Sequence, residues 1–225
     1  MRDDPERPAR PEAGAPQPVR ITPLGLDGLL GVPPGARGIV LFAHGSGSSR
    51  FSPRNNFVAD RLRDAGLATL LFDLLTEPEA ADRGNVFDIP LLAERLAAAT
   101  GWLAEQPTLR ALPCGYFGAS TGAAAALVAA ATQPRRIRAV VSRGGRPDMA
   151  NGWLARVECP TLLIVGGRDL EVLALNQAAL ARLTCEKELR IVPHATHLFE
   201  EPGTLEAVVE HARDWFLHHL GGGAR

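Results

Sequence analysis

Apolar residues in this chain fall in short, dense runs separated by polar, glycine-bearing loops. Residues 38–43 read Gly-Ile-Val-Leu-Phe-Ala, and residues 67–72 read Leu-Ala-Thr-Leu-Leu-Phe. Shorter runs follow within 111–117, 137–142, 161–165 and 188–192. Apolar positions are consecutive in these runs, not alternate, so each strand is expected to be covered on both faces, as parallel strands between helices are. Between the runs the apolar spacing lengthens to that of helices, over 57–65, 89–105, 121–131, 176–183 and 204–219. Asn55 or Asn56 is placed to cap the first helix and Gly66 to end it. Strand and helix alternate throughout, which predicts the α/β class: a mostly parallel sheet with helices on both faces, in three layers.

The ends of the chain break this pattern. Residues 1–18 are rich in Pro, Arg and Glu, offer little to bury, and are expected to form a disordered tail. Residues 19–24 and 28–32 suggest a hairpin closed by Pro33-Pro34-Gly35. One domain over 19–220 is expected, with 221–225 frayed. The acidic stretch 76–85 reads as an irregular surface loop, too short to be a lid domain.

Composition adds mainly exclusions. At 225 residues, 46% apolar and 22% charged, the chain can bury a full core. A formal net charge of −1 gives no electrostatic case for nucleic acid or a membrane surface as partner. Lys187 is the only lysine, a bias that suggests a GC-rich bacterial genome. Cys114, Cys159 and Cys185 are odd in number and sit in or beside predicted elements, as free thiols in a reducing cytoplasm would. No Cys/His cluster suggests a metal, no cofactor motif is complete, and no apolar run is long enough to span a bilayer.

The chemistry is concentrated at Gly118-Ala119-Ser120-Thr121-Gly122, the pattern G-x-S-x-G, between a predicted strand and a run of small helix formers. A strand that turns sharply into a helix lifts the central serine above the sheet, close to helix N–H groups that favour negative charge. Serine needs a base, and two histidines, His194 and His197, follow the last predicted strand. Asp169 follows the strand before it, where it can serve as the acid or cap the next helix; Glu171 is a weaker substitute. In a parallel sheet all these positions fall at the carboxyl edge, where ligands bind.

These stretches resemble the α/β-hydrolases of the dienelactone-hydrolase-like group, in particular its small serine members without a lid. The resemblance rests on His44-Gly-Ser-Gly-Ser-Ser-Arg50 with Ser52-Pro-Arg-Asn55, and on Leu71-Phe-Asp-Leu-Leu-Thr76. It continues through Gly118-Ala-Ser-Thr-Gly122, Val165-Gly-Gly-Arg-Asp169 and Ala195-Thr-His-Leu-Phe-Glu-Glu-Pro-Gly-Thr204, spanning about 38–219. It implies a Ser120–His197–Asp169 triad, and Thr-His-Leu-Phe favours His197 over His194 as its base. The oxyanion hole would be the backbone N–H groups of Ser46 and Thr121, with His44 ordering its loop. Some relatives of this type are fused to a phosphoribosyltransferase domain, which this chain is expected to lack. Dienelactone hydrolase itself uses cysteine where this chain has Ser120, so the resemblance implies ester hydrolysis without dienelactone as substrate.

The expectation is thus a cytoplasmic serine hydrolase, free of cofactors, that cleaves small or short-acyl esters. A thioesterase or acyltransferase with the same triad, and a silent scaffold that binds a ligand, are its alternatives. Among arginines in the edge loops, Arg143 and Arg50 are the candidates for an anionic group on the substrate. The competing reading for Arg143 is an ion pair with Asp73 or Asp148.

Overall fold

A computed structural model describes residues 14–221 of the chain. Eight strands form one sheet in the order β1-β2-β4-β3-β5-β6-β7-β8. In chain order these are β1 (Gln17–Ile21), β2 (Leu26–Gly31), β3 (Ile39–Ala43), β4 (Ala68–Phe72), β5 (Cys114–Ala119), β6 (Ile137–Arg143), β7 (Thr161–Gly166) and β8 (Lys187–Val192). β1 and β2 run antiparallel to their neighbours, and every pairing from β4 to β8 is parallel. The helices are α1 (Pro53–Asp64), α2 (Glu77–Ala80), α3 (Arg83–Phe87), α4 (Ile89–Glu105), α5 (Thr121–Thr132), α6 (Leu170–Arg182) and α7 (Thr204–Leu220).

The consecutive apolar runs are explained by two cores, one on each face. Leu41 and Tyr116 point into a core shared with α4, α5 and α6, while the adjacent Phe42 and Phe117 point into one shared with α1 and α7. The two phenylalanine rings stack across β3 and β5 at 4.9 Å between centroids. α5 is buried from Thr121 to Ala131. Its run of alanines is the sequence of a helix enclosed on all sides, where only small side chains allow close approach.

The structure corrects several expectations. The hairpin closes between Ile21 and Leu26, not at Pro33-Pro34-Gly35, which instead leads out of β2 toward β3. β1 takes in Gln17 and Pro18, which had been expected to fall in the tail over 1–18; residues 1–13, and residues 222–225 of the end expected to fray, lie outside the described residues. α1 is capped by Ser52, whose hydroxyl accepts from Asn55 N, and not by Asn55 or Asn56. The acidic loop forms the short helices α2 and α3, started by Thr76 with Glu79 and by Asp82. A 3-10 helix, Pro147–Arg156, follows the loop after β6. α6 begins at Leu170, which places Asn176 inside it, fully buried, with its amide donating to Gly145 O at 2.9 Å.

Candidate active site

Ser120 stands between the last residue of β5 and the first of α5, at φ 51° and ψ −122°. L-residues avoid that region, and such strain persists only where the surroundings over-determine it. Both glycines of the motif are forced. A β-carbon on Gly118 would lie inside van der Waals contact of Ala123, and one on Gly122 would run into the carbonyls of Ala43 and His44. Three non-glycine residues have positive φ among the described residues: Ser120, His194 and Phe199. All lie in the two loops that carry the candidate nucleophile and base.

His197 and Asp169 are brought together. His197 Nδ1 lies 2.7 Å from Asp169 Oδ2, with Asp169 mostly buried and His197 about two-fifths exposed. Asp169 occupies the cap position of α6 yet makes no side-chain cap bond. Its carboxylate faces the imidazole, which answers the helix-cap reading. The bond fixes the Nδ1–H tautomer and leaves Nε2 as the basic nitrogen. His194 is exposed, as is Glu171. Ser120 is joined to this pair through β6: its N–H donates to Arg143 O at 3.3 Å, and the next residue, Gly144, packs against His197. Among the described residues no hydrogen bond links Ser120 Oγ to His197.

Ser46 and Thr121 also meet, in a way the sequence did not anticipate. The Ser46 N–H donates to Thr121 Oγ1 at 2.9 Å, so the expected oxyanion donor is already occupied. Thr121 N–H, at the start of α5, has no intrahelical acceptor. Gly45 lies against the serine, where an added β-carbon would stand 3.0 Å from Ser120 Cβ. A cavity of about 640 Å³ opens beside this loop, lined by His44 to Phe51, by Asp73 to Pro78 and by Thr121. Neither Ser120 nor His197 lines it, although Gly45, which packs against the serine, and Thr121, the residue after it, do.

His44 orders the loop. Its Nε2 accepts from Leu74 N at 3.1 Å and its Nδ1 faces Gly45 O at 3.0 Å, so the ring is neutral. Burial pushes its pKa below the ordinary 6.5. The unfolded chain therefore binds more protons between that lowered value and 6.5, and stability falls as pH drops through this window. Thermal melts from pH 7.5 to 5 should show a loss of Tm in the wild type that is reduced in His44→Gln. Parallel curves would show that another group sets the acid sensitivity.

The arginines separate sharply. Arg50 is engaged by Asp73 through both its side chain and its backbone N–H, so this candidate for substrate binding is a structural ion pair. Arg146 holds Asp148 in a two-pronged pair at 2.9 and 2.8 Å. Asp73 and Asp148, the acids expected to compete for Arg143, are thus both taken. Arg143 is 7% exposed, with Nε and Nη1 buried and unpartnered. Its guanidinium lies 5.9 Å from the Phe199 ring, and burial together with nearby Arg54 lowers its pKa to about 10, so it remains charged at neutral pH. Sequence alone gave no sign that this arginine is sealed in.

Comparison with known proteins places this architecture. Dienelactone hydrolase from Anabaena variabilis superposes with a TM-score of 0.87 at 56% identity, over 92% of this chain and 99% of that one. The chain belongs to the dienelactone-hydrolase group of α/β-hydrolases. A serine hydrolase without a lid from Xanthomonas campestris shares the fold at 21% identity and a TM-score of 0.74, over 97% of this chain and 100% of that one. Two curated Mycobacterium tuberculosis proteins, provisionally named phosphoribosyl transferases, are 63% identical over 200 residues. That match takes in 89% of this chain but 45% of the length of those proteins. No family model matches the sequence. Among the described residues of this family member, no helix is long and apolar enough to cross a membrane. Its three cysteines are free, with Cys114 and Cys159 buried.

Proposed function

We propose that the protein is a serine hydrolase of carboxylic esters, acting through an acyl-enzyme. The observation that carries this reading is the 2.7 Å Asp169–His197 bond at the same sheet edge as the strained Ser120. In the proposed reaction Ser120 Oγ attacks the acyl carbon while His197 Nε2 takes its proton and later returns it to the leaving alcohol. Asp169 holds the imidazole through Nδ1–H and stabilises the imidazolium. Thr121 N–H receives the developing oxyanion, and Ser46 N–H joins it once the Thr121 hydroxyl turns away. Water then repeats the sequence on the acyl-enzyme. Ser120 and His197 close to hydrogen-bonding distance as substrate binds, since catalytic contacts in ligand-free sites are often long.

Arg143 is the proposed contact for an anionic group on the substrate, because a buried guanidinium with two unpartnered nitrogens favours any carboxylate or phosphate that reaches it. Small esters fit the compact walls that α2 and α3 give the neighbouring cavity. The transferase name of the curated relatives belongs to proteins about twice as long, and no step of the proposed mechanism rests on it.

Intact-mass labelling with a small fluorophosphonate tests the reading. One adduct per chain, mapped to the peptide that contains Ser120, is the expected result. Folded protein that takes up no label would remove the esterase, thioesterase and acyltransferase readings together. A ligand-binding scaffold would then be the reading to pursue.

A further inference from the structure

A second cavity, of about 600 Å³, lies at the opposite edge of the sheet. Its lining includes Ile39 and Cys114, the first residues of β3 and β5, whereas the candidate triad stands where strands end. Five arginines surround it, Arg37, Arg110, Arg135, Arg136 and Arg138, and no carboxylate lines it. Arg37 donates to Ala65 O at 2.9 Å, closing the end of α1. Among the described residues the other four guanidinium groups make no hydrogen bond or ion pair, and all four residues are exposed.

The simplest account of this charge is compensation of helix dipoles, because α1, α4, α5 and α7 all end near this edge. It is too small. Each helix end carries about half a negative charge, so four ends offset roughly two of the five positive charges. Glu158 borders only the shallower groove beside Arg135 and Arg138, and Glu186 faces His219 at 3.6 Å. Counting Glu158 and Glu186 in full, since burial keeps His219 neutral, still leaves a surplus of about one positive charge around one concave site. The floor is different in kind, being formed by Ile39, Leu109, Leu112 and Leu220.

We infer that this cavity binds a small phosphorylated molecule with a flat or apolar body, the chemistry of a nucleoside diphosphate. Planar guanidinium forks match phosphate oxygens two at a time, and the apolar floor accepts the remainder of the ligand. The volume lies within the range of small-molecule sites. A nucleic acid is a poor match, since the chain as a whole carries a formal charge of −1. The inference is independent of the chemistry at Ser120.

Calorimetric titration of the full chain with ADP, and separately with inorganic pyrophosphate, tests it. The wild type should bind one ADP saturably at low salt, and affinity should fall as salt is added. Arg136→Gln/Arg138→Gln should weaken binding at least tenfold; both side chains are exposed, so the variant should fold normally. Arg143→Met should bind ADP as the wild type does, which places the ligand away from the candidate active site. Pyrophosphate binding as tight as that of ADP would uphold the anion site and overturn the role of the apolar floor. Absence of saturable binding by either probe, or ADP binding undiminished in the double variant, would overturn the inference.

Discussion

Asp169→Asn is expected to lower kcat for ester hydrolysis about 10⁴-fold while leaving the fold intact. Asn can keep a hydrogen bond to His197 Nδ1 at the 2.7 Å position, but it stabilises the wrong tautomer and cannot balance an imidazolium. Asp169 makes no cap bond to α6, so its replacement should cost little helix stability. That separation of roles makes the variant informative. Ser120→Ala should be worse, on the order of 10⁶-fold, with fluorophosphonate labelling lost as well. The check is steady-state kinetics on a short-acyl ester for both variants, with thermal melts alongside. If Asp169→Asn retained more than a tenth of wild-type turnover, the 2.7 Å pair would be a loop tie and not part of a triad. A drop in Tm matching the loss of rate would point the same way.

Much of this arrangement was legible in the sequence because its determinants are local. G-x-S-x-G between an apolar run and an alanine-rich helix dictates a tight turn, and Gly118 and Gly122 prove to be places where any side chain collides. Apolar runs without alternation gave the covered sheet. What the sequence missed depends on partners far along the chain. Ser46 N–H looked free until Thr121, 75 residues later, placed its hydroxyl on it. Arg50 looked available for substrate until Asp73 claimed it from the end of the neighbouring strand. The helix was read only over 176–183, whereas α6 begins at Leu170 and Asn176 lies inside it, its amide holding Gly145, 31 residues away. Polar side chains are assigned by whichever group the fold brings to them, and spacing does not carry that information.

Arg143→Met should raise stability and reduce activity on anionic esters in the same protein. The native state seals Nε and Nη1 away from water with no acceptor, beside a second cation, Arg54. Each unsatisfied buried donor costs about 1–3 kcal/mol, and the contact with Phe199 recovers only part of that. Methionine fills similar volume without the charge, so a gain of about 1–3 kcal/mol is expected, or roughly 2–4 °C in Tm per kcal/mol for a chain of this size. Against esters carrying a carboxylate or phosphate, kcat/KM should fall about 10²-fold, the loss of a charged hydrogen bond worth roughly 3 kcal/mol. Neutral esters of the same acyl length should change less than about threefold, since they gain nothing from the cation. The two measurements, melting temperature and relative kcat/KM on paired substrates, answer separate questions. A lower Tm would mean that the guanidinium supports the fold. A higher Tm with unchanged selectivity would remove Arg143 from the substrate site and leave its buried charge with some other counter-charge to find. A higher Tm together with lost selectivity is the signature of a residue kept at the expense of stability because its substrate completes it.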